Sequence, residues 1–476
     1  MPELAFLSAL EQAALVRSGE VSPVELVDDA IARIEKFNPE LNAVIYTRFD
    51  QARAEAAGEI PDGPFRGVPM LVKDLDGHSA GDPYHAGMAA LKAAGYTPTH
   101  DTYNVAKLRA AGFVFLGKTN CSELGLLPTA EPLAYGPTRS PWDATRSSGG
   151  SSGGSAVAVA TGMVAVATAG DGGGSIRVPA SMCGIFGLKP SRGRVSVGPD
   201  HGEMWEGLVH RGALTRGVAD AAAVLDVIAG EMPGDPYTAP PPARSFADEV
   251  GVSPGELRIG VTTRVPAGLA ETQPDAVAAV DSAVRLLESL GHRVEEAHPA
   301  ALDEDLAEGF ITMLAASTRF ELDYWGTRIG RVLTAADVEP HTWMLAEMGN
   351  EVTAPHYVGA IDSLHALARR VSEWWTEYDV LLTPTVPEPP PPLGAYDVTP
   401  DDPMRALVKA SQVIPFVGGF NVTGQPAMSV PLYWNDEGLP IGVQLVAAYG
   451  REDVLIRLGS QLEEAQPWAD RRPPIG

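Results

Sequence analysis

The chain has only two cysteines in 476 residues, Cys121 and Cys183. No disulfide framework can be built from them, and a reducing compartment, the cytoplasm, is the expected location. Basic residues are also scarce: 35 Lys and Arg stand against 61 Asp and Glu, a formal net charge of −26. Contact with phosphate needs clustered Lys and Arg, so no nucleic-acid partner is expected. The acidity favours solubility and carries no information about fold. Long apolar runs are missing too. The longest uncharged stretch, 147–170, opens with nine Ser and Gly residues and continues as Ala and Val mixed with Thr and Gly. That is too short and too weakly apolar to span a membrane. The N-terminal MPELAFLSALEQ has no basic segment followed by an apolar core, so a signal peptide is not expected. The ten histidines are scattered, and no His/Cys group has metal-ligand spacing; neither a metal nor another cofactor is expected. No internal repeat is found.

What the chain does have is glycine in dense runs. Residues 149–190 read GGSSGGSAVAVATGMVAVATAGDGGGSIRVPASMCGIFGLKP. Ser151 and Ser152 lie inside one glycine cluster, and Ser175 closes another, Asp171-Gly172-Gly173-Gly174-Ser175. Glycine admits φ > 0 and lets a ligand come close to the main chain. Three glycines before a serine can aim several N–H groups at one point, as an oxyanion hole requires. The arrangement implies a serine nucleophile in a nest of donors.

Two formal motif matches fail on context. Gly149-Gly-Ser151-Ser-Gly153 satisfies the nucleophile-elbow pattern, which needs a strand running directly into the serine. The preceding Pro141-Trp-Asp-Ala-Thr-Arg is loop-like instead. Gly112 to Thr119 satisfies the phosphate-loop pattern, but its interior, Phe-Val-Phe-Leu, is a hydrophobic strand and cannot cradle phosphate.

The glycine-serine stretch, with Ser151 and Ser175 24 positions apart, closely resembles the amidase signature family. Further segments carry the same resemblance: Gly67-Val-Pro-Met-Leu-Val-Lys73-Asp74, Gly117-Lys-Thr-Asn120, Gly136-Pro-Thr-Arg-Ser-Pro-Trp142-Asp143, Phe420-Asn421-Val-Thr-Gly424-Gln-Pro426 and Gly438-Leu-Pro-Ile-Gly-Val-Gln444. One position departs. Where the family often has Thr or Ile after the aspartate, this chain has Gly172, from which a looser loop with an intact hole is expected.

The resemblance implies an α/β amidase signature fold: a large twisted mixed sheet, mostly parallel, with helices on both faces. It implies one amidase domain over 1–476, with N-terminal helices in 1–60, the signature core in 61–235 and 405–470, and a helical substrate-facing region in 255–400. It also implies a serine–serine–lysine triad: Ser175 as nucleophile, Ser151 as relay on a cis peptide and Lys73 as base. Gly172, Gly173, Gly174 and Ser175 would form the oxyanion hole. Asp171 and Arg177 would brace the loop as an ion pair, and Ser152 and Ser155 would supply hydrogen bonds to the loop or Lys73. A base lysine must be neutral, which burial promotes; Met70, Leu71 and Val72 offer apolar surroundings, while Asp74 would oppose them if it faced the amine. The implied activity is amide hydrolysis on a small molecule, extending to anilides, esters or carbamates, with no membrane partner and with room for a homodimer. The alternative is an amidotransferase-type subunit that releases ammonia from glutamine within a complex. Segments such as Asn38-Pro-Glu-Leu-Asn42 and Gln444-Leu-Val-Ala-Ala-Tyr-Gly-Arg-Glu-Asp453 look like the 6-aminohexanoate-cyclic-dimer hydrolase branch.

Local patterns predict the elements. Ser22-Pro23-Val24-Glu25 is a capping box with proline at the first helical position, opening a helix that ends near Asn38-Pro39. Helices are predicted at Phe49–Ala57, 102–111, 156–162 and 275–290, and strands at 70–72, 114–116, 164–168, 257–261, Arg293–Glu296, 426–433 and 441–446. Residues 302–378 read as mainly helical. Phe310, Met313, Leu314, Phe320, Tyr324, Trp325, Trp343 and Met344 in that stretch are expected to supply core and part of a largely apolar pocket beside Ser175.

Overall fold

The computed structural model describes residues 4–304, 306–399 and 401–476, so the first three residues of the N-terminal stretch lie outside it. Eleven strands are formed: β1 (Val44–Thr47), β2 (Pro69–Lys73), β3 (Val114–Thr119), β4 (Val166–Asp171), β5 (Phe186–Lys189), β6 (His210–Thr215), β7 (Arg258–Val261), β8 (Arg293–Glu296), β9 (Val380–Pro384), β10 (Ala427–Trp434) and β11 (Pro440–Ala447). They join one sheet in the order β1-β3-β2-β4-β6-β5-β10-β11-β9-β7-β8. Every residue of β2, β3, β4, β9 and β11 is buried. Strands covered on both faces need uninterrupted apolar sequence, which is what Pro-Met-Leu-Val before Lys73 supplies.

The sheet is mixed, but the expected parallel majority is not found. β2–β3, β2–β4, β7–β8 and β7–β9 pair in parallel. The pairs β1–β3, β4–β6, β5–β6, β5–β10, β10–β11 and β9–β11 are antiparallel. A short apolar run signals a buried strand without signalling its direction; direction is decided by which strand lies next to it. β10 and β11 are joined by a tight turn at Asn435–Gly438, and this hairpin wedges antiparallel between β5 and β9.

The helix Pro23–Leu41 starts at its capping box, with Ser22 Oγ accepting from Glu25 N at 3.3 Å and Glu25 Oε2 accepting from Ser22 N at 2.8 Å. Leu26, Val27, Ala30, Ile31, Ile34, Phe37 and Leu41 form its buried stripe. It runs past Pro39 and stops at Asn42, whose left-handed φ of 51° ends the helix. Three helices, Ala307–Arg328, Pro340–Asn350 and Ala354–Glu373, fill most of the stretch read as helical. The 255–400 region also supplies β7, β8 and β9 to the common sheet, and β1 lies within the N-terminal segment expected to be helices. Helices Arg177–Cys183 and Val218–Ile228, with β5 and β6, had no separate sequence signal. Among the described residues, no helix is long and apolar enough to cross a membrane.

Glu249 fastens the proline-containing connection 240–254 to the C-terminal helix Glu452–Ala465: its carboxylate accepts from Arg244 Nε at 2.7 Å and from Arg457 Nε at 2.6 Å. Hydrogen bonding from Arg244, then from Arg457, outweighs burial and holds this carboxyl down at about 2, against an ordinary 4.5. A depressed folded pKa stabilises the fold above the unfolded pKa, and that contribution is lost as pH falls through the folded value. Glu249→Gln is therefore expected to lower Tm at pH 7, with the gap to wild type closing as the pH is taken from 4.5 toward 2. A gap of equal size at pH 7 and pH 2 would contradict this role for the carboxylate.

Candidate active site

β2 ends in Lys73, and the register of the sheet points this lysine inward beside the glycine loops. Its main-chain N–H donates to Thr168 Oγ1 of the adjacent β4 at 2.8 Å. Its Nζ donates to Ser151 Oγ at 2.9 Å and pairs with Asp76 Oδ2 at 3.0 Å. Ser151 follows a cis Gly150–Ser151 peptide bond and precedes the helix Gly153–Ala160. Ser175 lies just beyond the end of β4 and is 9% exposed. Lys73, Ser151 and Ser175 line one narrow cleft, together with Leu75, Leu124, Met204, Trp205 and Glu321.

Asp76, which no motif singled out, is the carboxylate that meets Lys73. Asp74, the residue expected to oppose the apolar surroundings of the amine, turns away. It accepts from the His85 N–H at 2.9 Å and faces Lys118, while burial raises its carboxyl to about 7. The reason is local backbone: Asp76 has a left-handed φ of 67°, which folds its carboxylate back toward the strand end. It packs directly on Gly170, where an added Cβ would come within 2.0 Å of Asp76 Oδ2.

The loop after β4 is held by Asp171 and Arg177, the expected pair, at 2.8 Å with both side chains wholly buried. Burial would raise the Asp171 carboxyl, but Arg177 outweighs it and keeps the group well below the usual carboxylate range. Asp171 also accepts from the main-chain N–H groups of Gly174, at 2.7 Å, and Ile176, at 3.1 Å. This corrects the expected oxyanion hole. The Gly174 N–H is spent on the brace, leaving Gly172, Gly173 and Ser175 as candidate donors. Arg177 in turn donates to Asn421 Oδ1 at 2.6 Å, Gln444 Oε1 at 2.7 Å and the Val417 carbonyl at 3.0 Å. Asn421 and Gln444 stand in segments that carried the resemblance, yet the sequence alone assigned them no task. Ser155 Oγ bonds Thr119 Oγ1 at 2.7 Å and the Thr168 carbonyl at 2.8 Å. Ser152 Oγ donates to the Gly170 carbonyl at 3.3 Å. Both serines brace the loops, and neither has a bond to Lys73.

Gly172 does not loosen its loop. The ring of Trp205 occupies the space a side chain would fill: a Cβ on Gly172 would lie 2.8 Å from Trp205 Cζ3. Trp205 and Glu206 both adopt left-handed backbone, φ 48° and 50°. Such conformations persist only where the surroundings enforce them.

The pocket is also more polar than expected. Of the stretch 302–378 only Glu321 reaches the cleft, and burial followed by the nearby Asp76 raises its carboxyl to about 7. Met313, Leu314 and Trp325 are core, and Phe320 is 57% exposed. Phe310, Tyr324, Trp343 and Met344 pack, partly buried, against a satellite cluster. The apolar walls come instead from Leu75, Leu124, Met204, Trp205 and Val209. The fold also gathers His78, His100 and Asp200, with Asp200 Oδ2 at 3.1 and 2.9 Å from the two imidazoles. Sequence spacing could not reveal the group, because its members come from separate loops.

The Amidase family model matches residues 25–456. The chain belongs to the amidase family. The 6-aminohexanoate-cyclic-dimer hydrolase of Paenarthrobacter ureafaciens is 44% identical, over 98% of this chain and 96% of that protein. A solved 6-aminohexanoate cyclic dimer hydrolase superposes with a TM-score of 0.96 at 42% identity, covering 99% of each chain. A bacterial aryl acylamidase of the amidase signature family superposes at a TM-score of 0.87 with 27% identity, over 98% of this chain and 97% of that one. As an amidase, the protein is a hydrolase of carbon–nitrogen bonds other than peptide bonds.

The contact between Trp205 and Gly172 yields a test. Gly172→Thr should lower kcat/KM at least about tenfold, because the added side chain must displace the indole from the cleft. Trp205→Ala in the same chain should recover part of the loss, a coupling a double-mutant cycle would register. Additive losses from the two changes would mean that the ring and the loop are independent.

Proposed function

We propose that the cleft cleaves neutral carboxamides through an acyl-enzyme on Ser175. Ser175 Oγ attacks the amide carbon, forming a C–O bond, while its proton passes to Ser151 Oγ and the Ser151 proton passes to Lys73 Nζ. The negative charge that develops on the carbonyl oxygen is met by the N–H groups of Gly172, Gly173 and Ser175, donors already fixed by the Asp171 brace. When the tetrahedral species collapses the C–N bond breaks, and Ser151 delivers the proton to the departing amine. Water then releases the acid by the reverse sequence, restoring Ser175. The observation that carries this reading is the 2.9 Å bond from Lys73 Nζ to Ser151 Oγ in a cleft that Ser175 shares. For this step Lys73 is neutral: Nζ accepts from the Ser151 hydroxyl across that contact and donates one of its hydrogens to Asp76, which fixes it in place from the other side.

Ser175→Ala should fold normally and lose activity on the order of 10⁴-fold, since the members of such a triad act as a unit. Lys73→Arg should be comparably inactive, because a guanidinium stays charged and cannot accept the proton. A fluorophosphonate should label Ser175. Labelling at Ser151 would reverse the two serine roles.

The substrate class follows from the walls. Leu75, Leu124, Met204 and Trp205 favour neutral acyl or aryl groups, and cyclic amides and anilides are the classes proposed. The relatives support this: one is named for a cyclic dimer of 6-aminohexanoate and another for aryl acylamides. A turnover panel of cyclic amides, anilides, carbamates and glutamine should give measurable hydrolysis of the neutral members and poor hydrolysis of glutamine. Efficient glutamine hydrolysis with none of the others turned over would move the protein to the amidotransferase-type role.

A further inference from the structure

Beside the cleft lies a second, small chamber of about 20 Å³, room for one water-sized group, and Leu75, Met204 and Glu321 wall both spaces. Tyr84, Tyr324 and Trp325 give the chamber flat aromatic faces. One wall residue does not suit an apolar pocket. Arg211, on β6, is 3% exposed, and no carboxylate pairs with its guanidinium among the described residues. Its Nη1 donates to Asn104 Oδ1 at 3.2 Å, its Nη2 reaches only the Met204 sulfur at 3.8 Å, and its Nε has no acceptor.

A cation removed from water without acceptors is among the costliest groups a fold can hold. Two other deeply buried arginines are paired with carboxylates. Arg177 takes Asp171 and Arg194 takes Glu452, each through two nitrogens. Near Arg211 the acidic groups are engaged elsewhere: Asp76 holds Lys73, and Asp200 is shared by His78 and His100. The incomplete bonding of Arg211 therefore coincides with its place on the wall of a space that shares Leu75, Met204 and Glu321 with the cleft.

We infer that Arg211 is a specificity-determining residue and that the chamber takes an oxygen acceptor carried by the substrate away from the bond being cut. The acceptor is either the carbonyl of a second amide or a carboxylate. Bound there, beside the aromatic faces, the acceptor oxygen completes the hydrogen bonds of the guanidinium. This inference rests on the cleft being the site of amide cleavage.

Two series of linear amides test it, one varying the end group on the acyl side and one on the amine side, with methyl, primary-amide or carboxylate ends. In one series an oxygen-bearing member should exceed its methyl counterpart in kcat/KM by about tenfold or more, since a site built to bond an oxygen rejects the analogue lacking it. The primary-amide and carboxylate arms separate the two acceptors. Arg211→Met should collapse that ratio toward one, and Arg211→Lys, which keeps the charge without the fork, should lower it less. Equal treatment of all end groups in both series would overturn the inference, as would an Arg211→Met loss shared alike by every member. A binding readout separates this from the catalytic proposal: adipamide or adipate should raise the Tm of Ser175→Ala and fail to do so in Ser175→Ala/Arg211→Met. If no linear amide is turned over yet that shift is seen, the catalytic reading fails and the role of Arg211 stands; absence of the shift removes Arg211.

Discussion

The ion pair between Asp171 and Arg177 closes at 2.8 Å with neither side chain touching solvent, and the geometry of the glycine loop follows from it. Two charges taken out of water are expensive, and their attraction offsets the cost only when every remaining lone pair and proton is used. Here they are. Asp171 collects three main-chain N–H groups, of Gly174, Ile176 and Arg177, in addition to the guanidinium, and Arg177 spreads its other donors over Asn421, Gln444 and the Val417 carbonyl. Removing either member would strand the other as a buried charge, a loss of about 3–5 kcal/mol in comparable cases. Three consecutive glycines would otherwise be the most mobile stretch of the chain. The brace turns them into a fixed set of donors.

A second constraint acts from the opposite wall. Trp205 stands over Gly172 from a segment held in left-handed backbone, so the narrowness of the cleft belongs to both loops jointly. The absent side chain at Gly172 and the ring of Trp205 are one packing solution, in which the volume of a branched residue is replaced by an aromatic from elsewhere in the chain. The polar residues among these walls then separate the roles within the pocket. Lys73 and Asp76 lie at the end of the cleft that holds Ser151, and Glu321 marks the border with the aromatic chamber.

What was legible in the sequence was local. The capping box at Ser22, the apolar run that ends in Lys73 and the two glycine-serine clusters are each written within a few residues, and each is where it was expected. The pairing of Asp171 with Arg177 was legible because the two lie six positions apart on one turn. Strand direction was not, since a buried parallel strand and a buried antiparallel one ask for the same side chains. Asp76 was hidden by a left-handed residue that reverses the direction in which a carboxylate points, while the neighbouring Asp74 looked the better placed. Trp205 and Arg211 lie in the signature core but outside every motif that carried the resemblance, and nothing in their own surroundings announces a contact with Gly172 or a place on the chamber wall.

The hairpin of β10 and β11 lies in the interior of the sheet, although it is made near the end of the chain. During synthesis, Lys73, Ser151 and Ser175 leave the ribosome long before Asn421 and Gln444 exist to receive Arg177. Until then the strand edge of β5 stays open and the guanidinium is only partly satisfied. The nascent protein thus carries Lys73, Ser151 and Ser175 before the framework that braces the glycine loop exists, and that framework closes only when β10 and β11 insert between β5 and β9.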